Sequence, residues 1–362
     1  MGSRIVVAMS GGVDSSVAAG LLAEQGHDVI GLSMQLYDSS ASAGQAGDGI
    51  RAFGSCCTLD DLHDARRVAA VLGIPHYILN FERQFQDTVI SNFVREYASG
   101  RTPLPCAHCN SDLKFSTLLE RARGLGAKGV ATGHYARVSR ARTGRWLLHR
   151  SVDAGKDQSY FLFSLTQDQL ACATFPVGTL TKREVRAEAR RLGLQVAEKP
   201  DSQEICFVPD GNYAAFVAQQ EPALVQSGAI VDTGGRVLGS HEGVHRFTVG
   251  QRKGLGIAAG TPLYVLKLDV SAGTVTVGPR SALEETRLTA SGANWIALDA
   301  PGDWVRASAQ IRHRHRAAEG RVRALQNDRA EFVFNEPQPA VAPGQAVVFY
   351  DGDLVIGGGW ID

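Results

Sequence analysis

The chain passes from a β-branched run, Arg4-Ile5-Val6-Val7-Ala8, straight through Ser10-Gly11-Gly12-Val13-Asp14-Ser15-Ser16 into a helical stretch. A strand-to-helix turn of this composition gathers backbone N–H groups and hydroxyls at the positive end of a helix dipole. A phosphate or pyrophosphate is stabilised there. A plain turn would need only one capping side chain, Asp14 or Ser15, and two glycines flanked by hydroxyls exceed that need. No Gly-Lys-Ser/Thr occurs anywhere in the chain, so this is not a Walker A loop.

The same alternation continues for about two hundred residues. Val29-Ile30-Gly31-Leu32, His76-Tyr77-Ile78-Leu79 and Gly129-Val130-Ala131 read as buried strands. Between them Ser15–Gln25, Leu59–Leu72 and Arg83–Ala98 have helical periodicity, with Gly26, Gly73 and Gly100 at their ends as C-caps. Repeated βα units predict a parallel sheet with helices on both faces, and such sheets bind ligands beyond the carboxyl ends of their strands. From about residue 210 the texture becomes turn-rich β: Tyr264–Leu268, Thr274–Val277, Ala330–Phe334 and Ala346–Tyr350, which suggests small barrels. Gly254-Leu255-Gly256 is followed by strand-like residues with no βαβ unit around it, and reads as a loop. Ser39–Gly54, rich in Ser, Ala and Gly, reads as an insertion loop.

With 362 residues the chain has room for two or three domains and a substantial core. Its longest apolar runs fall far short of the roughly 18 residues of a membrane span. No signal-peptide layout precedes the first strand, so the expected compartment is the cytoplasm, with no membrane partner. There the six cysteines are metal ligands, catalytic groups or core residues rather than a disulfide framework. The 37 Lys and Arg balance 37 Asp and Glu, which by itself disfavours a nucleic-acid partner. Two local basic clusters soften that: Arg137, Arg140, Arg142, Arg145 and Arg150, and Arg312-His313-Arg314-His315-Arg316 with Arg321 and Arg323. The alternative for Arg312–Arg316, on charge patterning alone, is a solvated strand of alternating charge.

Cys109 lies in Pro105-Cys106-Ala107-His108-Cys109-Asn110-Ser111-Asp112, ahead of a helix whose apolar face is Phe115, Leu118, Leu119, Ala122 and Leu125. A thiol at a helix N-terminus gains thiolate character, and His108 could assist; an inert thiol explains the local pattern as well. Cys206, between Ile205 and Phe207, reads locally as a buried hydrophobe. Cys172 reads as core, and Cys56-Cys57 as a weak zinc pairing with Cys106 and Cys109.

Seven motifs occur in order: the Ser10–Ser15 loop, Cys109-Asn110 before Leu113-Lys114-Phe115, Thr132-Gly133-His134-Tyr135-Ala136-Arg137, Lys156-Asp157-Gln158-Ser159-Tyr160-Phe161-Leu162, Ile205-Cys206-Phe207, Thr248-Val249-Gly250-Gln251-Arg252-Lys253-Gly254-Leu255, and Pro343-Gly344-Gln345. The loop resembles the PP-loop of ATP pyrophosphatases. Together, from the first strand to Trp360, the motifs closely resemble the tRNA-specific 2-thiouridylases.

The resemblance implies an α/β PP-loop domain of the adenine nucleotide alpha hydrolase-like kind over residues 1–209. A small central β-rich domain follows over 210–281, and a C-terminal β-barrel that binds tRNA over 282–362. The implied reaction uses ATP and Mg²⁺ to adenylylate the carbon-2 oxygen of the wobble uridine, releasing pyrophosphate, and then replaces that oxygen with sulfur. The implied substrates are the tRNAs for Lys, Glu and Gln. By similarity Ala8, Met9, Ser10, Gly11, Gly12, Val13, Asp14, Ser15, Met34 and Gly133 hold the nucleotide. Cys206 carries the persulfide and Cys109 is its partner thiol, the two joining as a disulfide or releasing sulfide during turnover. His134, Lys156, Asp157, Gln158, Arg312, His313 and Gln345 match the family's tRNA contacts, with the anticodon loop splaying its uridine into the cleft. A cysteine desulfurase or a sulfur-relay carrier is the implied donor.

One place departs from the pattern. Many members read Asn-Pro-Asp two residues before the catalytic Cys, where this chain has Leu104-Pro105-Cys106. That puts the Asn contact to the base and the Asp acid/base role in doubt. Cys106, Cys109 and Cys206 could instead hold an iron–sulfur cluster with one open position, and spacing does not separate this route from the persulfide. From a different class, a PP-loop C–N ligase or amidotransferase would need neither Cys109 nor Cys206. A tRNA-binding protein with a decayed nucleotide site is opposed by the intact loop.

Overall fold

The computed structural model describes residues 2–36, 59–201, 205–208 and 211–362. The Ser39–Gly54 loop and the Cys56-Cys57 pair expected from sequence lie outside the described residues. The chain divides into two compact units: 1–89 with 106–211 and 353–355, and 90–105 with 212–352 and 356–362.

In the first unit, β1 (Arg4–Ala8), β2 (Asp28–Gln35), β3 (His76–Asn80), β4 (Val130–Ala131) and β7 (Ala173–Thr174) form, among the described residues, a five-stranded sheet. Its order is β3-β2-β1-β4-β7 and its pairings are parallel. The antiparallel hairpin of β5 (Ala136–Arg140) and β6 (Trp146–Arg150) lies between β4 and β7 in sequence, and His149 of β6 pairs with Leu354. Helix α1 (Val13–Glu24) is buried along most of its length, from Val13 through Leu22. With Ile5, Val7, Val17, Val29, Ala65 and Val68 it builds the core between the sheet and α2 (Leu59–Leu72). The three expected C-cap glycines, Gly26, Gly73 and Gly100, have φ of +79°, +67° and +69°, which the left-handed cap requires.

The chain reverses direction across the sheet at β1. Strands β2 and β3 are added on one side, β4 and β7 on the other. The crevice beyond the carboxyl ends of β1 and β4 is therefore the topological switch point, where open α/β sheets bind ligands. The Ser10–Ser15 turn and Thr132-Gly133 both sit at those ends.

The second unit carries two β assemblies. A sheet of order β10-β11-β8-β9 is formed by β8 (Gly228–Val231), β9 (Val237–His241), β10 (Tyr264–Asp269) and β11 (Thr274–Gly278). It packs around Ile230, Phe247, Val265, Val275 and Val277. The C-terminal barrel is built from β12 (Glu284–Trp295), β13 (Val305–Gln310), β14 (Ala318–Leu325), β15 (Arg329–Pro339), β16 (Ala346–Asp351) and β17 (Leu354–Ile361). Among the described residues these six run β12-β15-β14-β13-β16-β17, and pairing of β17 with β12 closes the ring. Closure leaves no barrel edge to pair with another chain. Phe332, Phe334, Phe349, Val322, Val347 and Ile356 fill it.

Several local expectations are corrected. The expected Arg83–Ala98 helix forms as an unbroken run from Glu82 to Ala98, but it widens to a π-helical stretch over Gln86–Ile90. Arg312–Arg316 is a turn between β13 and β14, not a strand. Leu125, expected on an apolar face, is exposed, because the helix ends at Gly124. Cys172 is half-buried at the C-cap of helix Gln167–Ala171, where the Arg123 guanidinium reaches its sulfur at 3.6 Å, and so is not core.

Candidate active site

Helix α1 begins without a side-chain cap. Its N-cap is Gly12, with φ −90° and ψ 165°, so the first-turn N–H groups lack a capping oxygen of their own. The expected capping residues do other work. The Ser15 hydroxyl accepts from Ser10 N–H at 3.1 Å, while the Ser16 hydroxyl donates to Gly12 C=O at 2.8 Å, and the turn is braced from inside. Gly11 has φ +73°, and a Cβ there would stand 2.2 Å from the Asp61 carbonyl oxygen. Gly12 differs: a Cβ would meet only Ser10 Oγ, at 3.5 Å. Packing does not demand glycine at this position, and the bare backbone leaves room for a group to approach the first-turn N–H groups.

Gly133, at the end of β4, completes the crevice. A Cβ would stand 2.5 Å from the Ser15 backbone nitrogen. The side chains of Met9, Val13 and Met34 are buried, so these three expected nucleotide positions offer backbone only. Ala8 is half-buried at the end of β1.

Two lysines that sequence reasoning missed fasten the turn. Lys199 Nζ donates to Gly11 C=O at 3.1 Å and pairs with Asp61 at 2.7 Å and Asp64 at 2.6 Å. Lys182, at the start of helix Lys182–Arg191, pairs with Asp14 at 2.8 Å and with Asp201 at 2.7 Å. Tyr135 O–H also donates to Asp14, at 2.8 Å. Burial, then the Asp14 carboxylate beside it, pushes the Tyr135 hydroxyl far above its ordinary pKa, so it remains a donor. Asp201 is shared further with Lys156 at 2.6 Å and Arg186 at 3.4 Å. Burial opposes its ionisation, but the hydrogen bonds from Lys156 and Lys182 prevail and hold its pKa below the usual value. The signal was present in Lys199-Pro200-Asp201, but only the fold turns a charged tripeptide into a bracket.

The expected tRNA positions of this unit are unequal. Lys156 is the more exposed end of the Asp201 pair. Asp157 accepts from Arg150 at 2.9 Å, the Ser151 and Ser159 backbone N–H groups, and the Ser159 hydroxyl. It is a scaffold carboxylate here. Gln158 accepts from Tyr135 N–H at 2.9 Å, and His134 Nδ1 lies 2.7 Å from Thr132 Oγ1. Burial, and secondarily Lys114, keep the His134 imidazole neutral to well below its ordinary pKa.

The helix bearing Cys109 begins earlier than expected, at Pro105, runs on as a π-helix over Cys109–Thr117 and returns to α over Leu118–Gly124. Cys109 is therefore one turn inside, and the exposed Cys106 occupies the first turn, where the dipole acts most strongly. Asn110, 1% exposed, donates to Phe161 C=O and accepts from Lys114, which anchors the π segment. His108 is 3.2 Å from Asp112. Burial raises the Asp112 pKa, but the hydrogen bonds of His108 and Ser111 win and leave it lowered. Cys206 is half-buried rather than core. Its neighbour Phe207 is the anchor, edge-on to Phe85 at 5.6 Å. Among the described residues no three His, Cys, Asp or Glu side chains are grouped to hold a metal ion, so Cys106, Cys109 and Cys206 do not form a ready cluster site.

In the second unit three separated motifs meet. Thr248-Val249-Gly250-Gln251, Arg312 and Gln345 line one groove of about 450 Å³. Gln345 donates to the carbonyls of Thr102 and Pro103, and Arg312 to that of Pro339. Gly344, φ +86°, allows this, since a Cβ would stand 2.9 Å from Thr102 N. His313 is exposed at the adjacent turn, and Leu104 is buried.

Residues 3–210 match the family described as tRNA methyl transferase HUP domain, 215–279 its PRC-barrel domain, and 285–361 the aminomethyltransferase beta-barrel domain. The tRNA-specific 2-thiouridylase MnmA of Geotalea uraniireducens (strain Rf4) is 56% identical over 99% of this chain and 95% of that protein. The chain belongs to the tRNA-specific 2-thiouridylase family. The 2-thiouridylases of Geobacter metallireducens (55% identity, 99% of this chain and 96% of that protein) and Solibacter usitatus (53%, 99% of each) match it likewise. Among solved structures, a 4-thiouridine synthetase–RNA complex with bound ATP aligns at 15% identity with a TM-score of 0.35, over 61% of this chain and 50% of that one. In 2-thiouridylase terms, the loop, Gly133 and the two lysines belong to one crevice of the first unit, while Arg312 and Gln345 belong to a groove of the second.

Proposed function

We propose that the protein is an ATP-dependent tRNA 2-thiouridylase acting on the wobble uridine, with the tRNAs for Lys, Glu and Gln as substrates. The observation that carries this is the full-length family match together with an uncapped Ser-Gly-Gly turn at the switch point of a parallel sheet.

The α1 N-terminus, Gly12 and Gly133 receive the ATP phosphates, and Mg²⁺ accompanies them. Lys182 holds the Asp14 carboxylate in place, and Lys199 holds the Gly11 carbonyl away from the anion. The uridine carbon-2 oxygen attacks the α-phosphorus and pyrophosphate leaves, which converts a poor leaving oxygen into AMP. The terminal sulfur of a Cys206 persulfide then attacks carbon 2, and AMP departs. The Cys109 thiolate attacks the Cys206 sulfur, the S–S bond breaks toward the nucleobase, and 2-thiouridine leaves with a Cys109–Cys206 disulfide behind it. An external thiol reduces that disulfide, and a cysteine desulfurase or relay carrier reloads Cys206. Arg312, His313, Gln345, Lys156 and His134 contact the anticodon stem-loop. The cytoplasm is the matching compartment, and among the described residues no helix is long and apolar enough to cross a membrane.

The deciding experiment incubates the protein with ATP, Mg²⁺, a cysteine desulfurase with cysteine as persulfide donor, an external thiol and unmodified tRNA, then digests the RNA and analyses it by mass spectrometry. 2-Thiouridine at the wobble position is the expected product. Pyrophosphate release without thiolated RNA would assign the loop to another acceptor and refute the reading.

A further inference from the structure

The outer face of the C-terminal barrel carries charges in an arrangement that folding alone disfavours. On β13 and β14, Arg306 stands directly opposite Arg321. Arg321 stands opposite Val333, which in turn stands opposite Arg287 on β12. Opposed residues on antiparallel strands are only about 4.5–5.5 Å apart, and like charges there are destabilising.

The row beside this one is compensated. Glu331, 5% exposed, accepts Arg287 at 2.9 Å and Arg323 at 2.7 Å, so those two guanidinium groups are neutralised by one buried carboxylate. Among the described residues no ion pair joins Arg306 or Arg321. Trp304, just before β13, lies against the guanidinium groups of Arg321 at 4.9 Å and Arg323 at 4.6 Å. Such stacking holds a guanidinium plane in a fixed orientation while leaving its N–H fork open, the form in which arginine recognises phosphate. The nearest acidic position on the same face of β14 is Glu319, opposite Ser308.

We propose that this face, centred on Arg306 and Arg321 and stiffened by Trp304, binds the sugar–phosphate backbone of the substrate tRNA at a place separate from the reacting nucleotide. The inference rests on the tRNA reading above and deepens it. An overall neutral chain must concentrate its phosphate affinity locally, and two opposed, uncompensated arginines are such a concentration. Contacts of this kind set position rather than sequence, so the surface serves every tRNA the enzyme accepts to the same degree.

The test replaces both residues, R306Q/R321Q, and leaves Arg287 and Arg323 in place so that Glu331 keeps its partners. Thermal melting checks that the fold survives; removal of a repulsive pair predicts an unchanged or higher Tm. With an unmodified transcript carrying a wobble uridine, KM for tRNA rises several-fold while kcat holds. The slope of log affinity against log salt falls by about 2, one per arginine. Glu319→Gln shifts KM in the opposite direction. Wild-type thiolation with the same KM and salt slope in the double variant overturns the proposal. So does an unchanged tRNA KM with slowed persulfide loading, which would make the face a protein-docking surface. Absence of thiolation by the wild type itself would instead strike the parent reading.

Discussion

Gly133 and Ser15 touch through the backbone: any β-carbon on Gly133 would stand 2.5 Å from the Ser15 nitrogen and 2.7 Å from the Asp14 carbonyl carbon. The end of β4 is thereby pressed against the first turn of α1. Gly133→Ala must push the two apart, at a cost of about 1–3 kcal/mol, and ATP affinity falls with stability. Gly12→Ala gives the contrasting result. Its β-carbon has room, so stability falls only by the modest cost of alanine at an N-cap, while ATP affinity drops. Thermal melts with and without ATP separate the two variants.

Lys182 stands between the Asp14 and Asp201 carboxylates, 13% exposed. Lys182→Met leaves two carboxylates facing one another without their shared cation. For a pair intermediate between surface and core, destabilisation of roughly 1–3 kcal/mol is expected, together with weaker ATP binding. Denaturant titration checks the first, equilibrium nucleotide binding the second. Lys199→Met should act in the same direction through Gly11.

Acid sensitivity has two sources of one sign. His134 titrates below its ordinary 6.5 in the folded chain, so its contribution to stability is complete above that pH and is lost as pH falls from there. Asp201 titrates below 3.8 and adds a second loss at lower pH, as the pH falls through its depressed pKa. His134→Gln should flatten the stability profile as pH falls below about 6.5 and leave the Asp201 limb intact.

Cys109→Ala and Cys206→Ala should each abolish thiolation while leaving ATP binding within twofold of wild type. Cys172→Ala, at a half-buried helix end, should be close to neutral in both. Mass spectrometry of the RNA and of the protein thiols reads all three.

The strand runs, α1, α2 and the left-handed glycines were legible because period, β-branching and Gly placement are local properties of consecutive residues. The same is true of the nucleotide turn, whose chemistry is contained in seven adjacent positions. The switch point was not legible in this way. That β1 lies between β2 and β4 depends on which strands pair, and pairing is long-range. Lys182 and Lys199 were invisible for the same reason. Each is an ordinary lysine until the fold brings it to a carboxylate more than a hundred positions away.

The sequence alone determined the fold class and the family, since ordered local motifs survive without knowledge of contacts. Tertiary structure alone decided which of those residues have side chains available. It turned Met9, Val13 and Met34 inward, occupied Asp157 with four hydrogen bonds, and lifted Cys206 toward the surface beside a buried Phe207. It also set Arg306 directly opposite Arg321. Burial and charge pairing are properties of neighbours in space, and the chain acquires those only when the sheet and barrel close.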